Sequence, residues 1–435
     1  NNFVQTLSAN ENNIKNSSGE YVIDLYPDWI DANVIFVSSH GSNYNDGKTA
    51  DKPINNDWNS ISSKLNSNIK TCTNASNREA NIIVLTNGTL SYSGMTGPNT
   101  AYTLTSMYNG TNYGSSSTYI DFSSNNGGWG YYDGSSVTLD SDLQLEYLYI
   151  NSNVSYKNPN ATTDGTDDAY PCIYGNMYNL RIGRGILPTS SNTCTLGQVQ
   201  GGYYNHSSSE FKLVIESGKY YTLQLYRAST GTGTSNRLTA NGTLVIGNDF
   251  DRKSNNNENL KIYNRMSSKT TTATNSPYTA NNSKAFAIEM IVKSGTIGVD
   301  YFNSQSASDS SDRNYAGIYV GGHGQTGIDK SDRRLIVEGG NIANLIGGLN
   351  IDSTDANNYK TYIYVKDGNI MNITGGAGYT HTYGDRIIQV TGGCIKYSIS
   401  GGSNGVAAST STNNGQLTGN SLIYIGGDAN IGATY

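Results

Sequence analysis

The chain has 435 residues, of which only 35% are hydrophobic and 14% charged, and its formal net charge is −6. No Lys/Arg stripe accompanies that balance, which speaks against a nucleic-acid partner. No apolar run of about 18 residues is present to cross a membrane. The remainder is Asn, Ser, Thr, Gly and Tyr, a composition that borders on disorder. The 34 Tyr and the many β-branched residues argue for pleated surfaces instead, and 50 Gly against 7 Pro suits many tight turns.

In chain order, the sequence shows no signal peptide and reads as a mature or trimmed fragment that continues beyond Tyr435. Residues 1–30 are polar with one apolar patch, Tyr21–Tyr26, a leader or edge strand. Val34–Pro53 is a strand followed by a Gly/Asn/Asp-rich loop. Asp57 is placed to cap a helix, and Trp58, Ile61, Leu65 and Ile69 then fall on one helical face. Asn81–Gly88 is the next strand and turn. Short strands follow at Tyr102–Thr105, Tyr119–Phe122, Val137–Leu139 and Leu143–Ile150, with a turn at Gly127–Gly130. Residues 151–170 form a long polar loop. Leu180–Ile186, Phe211–Gly218 and Thr243–Gly247 are further strands, residues 251–285 a second polar excursion, and Ala287–Gly295 and Ile318–Gly322 lead on.

Three later segments, Arg334–Gly348, Tyr362–Gly376 and Ile387–Gly402, say nearly the same thing: an alternating strand, a turn at Gly, a second strand, then Gly-Gly. Their central glycines, Gly340, Gly368 and Gly393, fall 28 and 25 residues apart. A unit of that length, made of strands and corners, cannot bury its apolar side alone and must stack on its neighbours. The reading is an all-β parallel solenoid, with residues 1–90 as its N-terminal strand and helix cap and 91–435 as rungs of one continuous elongated domain. Asn ladders and stacked aromatics are expected where equivalent side chains repeat one rung apart. The inward positions are expected to be Val214, Val292, Ile336, Ile363, Val365, Ile388, Val390 and Ile423, with Ile342, Ile370 and Ile395 after the turn. Helix is expected almost nowhere beyond residues 57–70.

The strand–loop–helix–strand order at the N-terminus resembles the pectate-lyase-like right-handed parallel β-helix superfamily. Phe36, Val37, Ser38, Gly41, Ser42, Asp46, Gly47 and Pro53 match its opening motif. The resemblance implies a right-handed β-helix whose open end is plugged by an amphipathic helix. It identifies architecture rather than activity, because the superfamily holds lyases, hydrolases, adhesins and inert stalks. With its Gly-Gly rungs the chain looks most like large microbial cell-surface proteins.

Four constellations bear on chemistry. Thr163–Asp168 places three carboxylates in one loop, and lyases of this architecture use clustered Asp with Ca²⁺; solvated loop acids are the plainer reading, and no metal or cofactor is expected. Asp329–Arg334, near Asp312 and Arg313, holds the bases a β-eliminating lyase needs; a surface ion-pair cluster is the plainer reading. His206, His323 and His381 each follow a Gly-Gly pair closely, and Tyr203, Tyr204, Tyr379 and Tyr383 share those segments. If Gly-Gly marks one corner, these seven residues line one edge, where rings stack on sugar faces; ordinary surface Tyr and His is the alternative. Cys172 and Cys194 lie about one rung apart and either pair in an oxidising compartment or stay as buried thiols.

Two function classes follow. One is a secreted or cell-surface structural and adhesive rod that binds a surface glycan or a host or neighbour-cell molecule without catalysis, and that self-associates into a fibre. The other is a polysaccharide-active enzyme, lyase before hydrolase.

Overall fold

The computed structural model describes residues 33–68, 81–93, 101–123, 137–139, 141–152, 172–175, 178–202, 210–226, 241–269, 288–304, 316–320, 332–347, 360–376, 384–402 and 419–432. Among these the fold is all-β: strand takes more than half of the residues and helix less than a tenth. The strands form a long, solenoid-like parallel array.

Its spine is a ladder of twelve parallel strands that begins at Asn33–Ser38 and ends at Ser421–Ile425. Each strand pairs with the equivalent strand of the next rung, so one alternation of inward and outward positions runs the whole length. One inward column reads Leu143, Leu180, Leu213, Leu244, Met290, Leu335, Ile363, Ile388 and Ile423. Two positions on, a second reads Leu145, Ile182, Ile215, Ile246, Val292, Val337, Val365, Val390 and Ile425. All are buried except in the last rung. The step between equivalent residues is far from uniform: 21 residues from Asn81 to Tyr102, but 48 from Asn33 to Asn81. In this ladder the 25–28-residue period therefore holds only in the late repeats.

A second parallel ladder faces the first across the core. It runs from Val137–Thr138 through Leu196–Gly202, Gly218–Tyr226 and Leu260–Lys269 to Asn430–Ile431. Its inward column is Ile173, Val199, Leu223, Met266, Ile318, Leu345, Ile373 and Ile399. One continuous apolar cluster, from Ile35 to Ile395, joins the two ladders. In the early rungs a third parallel sheet closes the section with Thr89–Ser91, Tyr119–Asp121, Tyr149–Asn151 and Leu187–Pro188.

The corners explain the glycines. Gly340, Gly368 and Gly393 have φ of +97°, +111° and +78°, and they stack: a Cβ on Gly368 would lie 3.0 Å from the Gly340 carbonyl, and one on Gly393 2.5 Å from that of Gly368. Only a residue without a side chain tolerates both demands. The expected Asn ladder is present beside them. Asn369 Nδ2 donates to Asn341 Oδ1 (2.9 Å), Asn372 Nδ2 to Asn344 Oδ1 (3.0 Å), and Ser398 Oγ continues the row onto Asn372 Oδ1 (3.0 Å).

Helix α1 spans Trp58–Asn68, and Asp57 caps it by accepting from the Ser60 N–H at 2.8 Å. Trp58, Ile61 and Leu65 are buried in the same cluster as Ile35, Val37 and Ile54; Ile69 lies outside the described residues. The loop that precedes α1 folds back on the first strand. The Phe36 N–H donates to Gly47 O (2.8 Å), Ser42 N–H to Pro53 O (3.1 Å), and Val37 pairs with Ile54. The matched opening motif is thus a structural device: Gly41 lies so close to Ile54 that any side chain would collide with its backbone.

Four expectations need correction. Val214 and Ile336 face outward and are only half-buried, while Leu213, Ile215, Leu335 and Val337 fill the core. Ile423 faces inward but is 39% exposed, because among the described residues its strand is paired on one side only. Leu143–Ile150 is two strands, with a corner at Tyr147 (φ +49°). Residues 251–285, expected to be a polar excursion, include most of helix α2 (Asp249–Ser254) and the whole strand Leu260–Lys269, and a third helix, α3, spans Val299–Ser304. Asn248 caps α2 by accepting from Asp251 N–H (2.8 Å), and Asn255 ends it in the left-handed region (φ 54°).

Candidate functional site

The outward positions of the twelve-strand ladder form three columns, and a groove of about 680 Å³ runs between the outer two in the early rungs. Its floor is the central column: Thr103, Gln144, Arg181, Val214 and Val245. One wall is Ala101, Asp142, Asn179 and Lys212; the other is Glu216, Gly247, Asp249 and Lys293. Each strand contributes alternate residues, so period-two geometry alone brings these side chains to one face. The groove lies across the strands and therefore along the stacking direction, one rung per about 4.8 Å.

The walls are held by short polar ladders. Asp142 accepts at both carboxylate oxygens from Asn179, from its N–H (2.8 Å) and its Nδ2 (3.0 Å). Asn179 Oδ1 in turn accepts from the Lys212 N–H (2.9 Å). Arg181 Nη2 reaches both oxygens of Glu216 (3.2 and 3.0 Å). Across the groove Lys293 Nζ donates to Asp249 Oδ2 at 2.6 Å, and Arg252 contacts Asp249 Oδ1 at 2.9 Å. The Lys293 hydrogen bond is the main reason that the Asp249 carboxyl sits below its ordinary value; desolvation opposes it, and the charges of Lys293, Arg252 and Lys253 add to it. Helix α2 supplies Asp249 and Arg252. Its Phe250 is 58% exposed, with the Arg184 guanidinium 4.5 Å from the ring centroid.

Further along the same face the central column continues as Ile291, Ile336, Tyr364, Gln389 and Tyr424. Tyr362 and Tyr364 stand side by side there, ring centroids 6.0 Å apart and planes 22° apart. Together with exposed Leu422 and Tyr424 they make an aromatic and aliphatic shelf. None of these residues was expected as a site. The signal was present in Tyr362-Ile-Tyr-Val, where inward Ile363 and Val365 force both rings out.

The seven expected binding residues, Tyr203, Tyr204, His206, His323, Tyr379, His381 and Tyr383, lie outside the described residues. Of the Gly-Gly pairs that precede them, Gly201 and Gly375 stand at equivalent ends of the second ladder, in line with Gly175, Gly347 and Gly401, while Gly321 and Gly322 lie outside the described residues. Gly347 N–H donates to Thr374 O and Gly375 N–H to Ser400 O, at 2.8 and 2.7 Å. That corner is not part of the groove. Thr163–Asp168 also lies outside the described residues. Of Asp329–Arg334 only the last three are described, and they do not converge. Arg333 points inward and is buried, while Arg334 points outward toward Glu289 (3.7 Å). Asp332 Oδ1 accepts from the Lys360 N–H (2.7 Å).

Cys194 is a buried thiol, and burial pushes it up to about 12 against an opposing pull from Lys219. The Cys172 side chain lies outside the described residues. Burial likewise raises the Tyr220 hydroxyl, which donates to Ser217 O at 2.7 Å. Among the described residues no group of three His, Cys, Asp or Glu is placed to hold a metal ion, and no helix is long and apolar enough to cross a membrane.

The geometry defines a class, a solenoid-like all-β protein with a grooved outer face. The chain matches no protein-family model, no curated protein and no solved structure.

Proposed function

We propose that this chain is a secreted or cell-surface module, a right-handed β-helix that acts as a structural and adhesive rod and holds a glycan or similar surface polymer without turning it over. Helix α1 is the cap of its N-terminal end in this reading, supported by the burial of Ile61 and Leu65 with the first strand. The observation that carries the functional reading is the groove. Its floor, which includes the aliphatic pair Val214 and Val245, and its hydrogen-bonding walls extend over consecutive rungs of a continuous ladder, as suits an extended polymer. The scaffold supports rigidity: each interior rung is fixed by backbone pairing on both sides.

A second reading, a polysaccharide lyase, is favoured by one feature. The Lys212 ammonium has no ion-pair partner among the described residues, and a β-elimination needs such a base in the groove.

One experiment separates them. The chain is incubated with immobilised polysaccharides, and both retention and the ultraviolet absorbance of unsaturated product are followed. Retention without product, lost in Val214→Asp and Val245→Asp, is expected. Product formation abolished in Lys212→Ala replaces the rod by the lyase. No retention of any glycan removes the groove from the reading.

A further inference from the structure

We infer that the groove selects a neutral, linear polysaccharide lying along the rod axis and disfavours a polyuronate; this rests on the glycan-binding reading above. The first argument is direction. The groove is built from successive rungs, so a ligand that fills it crosses the strands and meets a new set of outward positions at every step of about 4.8 Å. A linear chain of pyranose rings advances by a comparable step and presents its own repeat to that repeat.

The second argument is charge. Three acids, Asp142, Glu216 and Asp249, and three bases, Arg181, Lys212 and Lys293, line the groove. Arg181 is engaged by Glu216 and Lys293 by Asp249, at 3.0 and 2.6 Å. A polyanion therefore finds one cation without an ion-pair partner among the described residues, Lys212, and it runs past Asp142, a carboxylate that likewise has none there. Repulsion from like charge is how a site rejects a partner of the wrong sign. A neutral glycan meets no such barrier.

The third argument is the floor. Val214 and Val245 are adjacent in register and both line the groove, Val214 half-buried and Val245 9% exposed, an aliphatic strip suited to the C–H face of a pyranose. The hydroxyls around the ring edge then face the polar walls. Gln144 sits in the same column, its Nε2 turned to Glu146 (3.0 Å), which leaves its carbonyl oxygen as an acceptor for a sugar hydroxyl.

The test is calorimetric titration of the whole chain with neutral oligosaccharides (β-glucan, mannan and xylan fragments) and with oligogalacturonate and oligoalginate, each at low and raised salt. Binding of at least one neutral oligomer, about tenfold tighter than either acidic one and insensitive to salt, is expected. The double variant Glu216→Gln, Asp249→Asn releases Arg181 and Lys293, and it should gain acidic-oligomer binding that falls with salt. Thermal melting confirms that each variant is folded. Preference of the wild type for an acidic oligomer, or a double variant that stays folded yet gains no acidic binding, overturns the inference and leaves glycan binding standing. Failure of every oligomer to bind overturns the glycan reading itself.

Discussion

Two strands of the main ladder, Arg386–Val390 and Ser421–Ile425, pair residue for residue. The central inward pair is Ile on Ile, yet Ile388 is 1% exposed and Ile423 39%. Among the described residues Arg386–Val390 has a strand paired on each side and Ser421–Ile425 has one on a single side. At the other end Ile35 and Val37 are buried, and there Ile54, Ile61 and Leu65 share their cluster. In a stacked sheet, burial is a property of the neighbouring rung rather than of the residue. A terminal rung exposes the same side chains that an interior rung hides, together with unpaired backbone groups.

That contrast is open to direct attack, beginning with the core columns. Ile370→Asp places a charge in a fully buried column and should cost on the order of 4 kcal/mol or more, read as a loss of urea midpoint. Ile423→Asp, at the open rung, should cost under about 1 kcal/mol, because water already reaches the site. Equal losses would mean that the terminal rung is as well packed as the interior.

The corner glycines give the next largest difference. Gly393→Ala meets both a positive φ and a carbonyl 2.5 Å away, and should cost about 3 kcal/mol. Gly432→Ala has a similar φ of +76° with open space around it, and should cost about 1 kcal/mol from the left-handed backbone alone. The two melting temperatures, compared with wild type, decide whether stacking adds to backbone strain.

The Asn ladder should show the contrast on a smaller scale. Asn372→Ala removes a donor to Asn344 and an acceptor for Ser398, and a loss of about 1–2 kcal/mol is expected. Asn430→Ala, exposed at the end of the ladder, should be within about 0.5 kcal/mol of wild type.

The smallest effect is electrostatic and belongs to the groove. The Asp249 carboxyl is held below 3.8 in the folded chain, chiefly by the Lys293 hydrogen bond. Its contribution is therefore fully present above that ordinary value and is lost as pH falls through the folded one. Because Asp249 is half-exposed, salt screens it. Melting curves taken down through the acid range should show a slightly shallower fall for Asp249→Asn than for wild type. A steeper fall in the variant would mean that the ion pair does not stabilise the fold.

Much of the architecture was legible because it rests on local rules. The alternation in Tyr362–Val365, the left-handed demand at Gly340, Gly368 and Gly393, and the Asp57 cap with its apolar helix face are all carried by near neighbours in sequence. The strand Leu260–Lys269 was hidden because it buries Asn264 and Arg265 where an alternating strand is expected to bury apolar residues. Val214 and Ile336 were assigned inward because a run such as Leu213-Val-Ile offers apolar residues on both faces, and polarity alone does not choose between them.

By itself the sequence determined an all-β chain of short strands turning at glycines, and a stacked repeat between Arg334 and Gly402. Those features follow from side-chain shape, period and backbone φ, which act over a few residues. Tertiary structure alone decided which strands meet across gaps of 21 to 48 residues, and hence that Thr103, Gln144, Arg181, Val214 and Val245 form one floor. It also decided that Arg333 is buried while Arg334 is not, and that Glu216 and Asp249 hold the bases of the groove. These are matters of register, set by the backbone pairing of one rung on the next, and no stretch of sequence contains both partners.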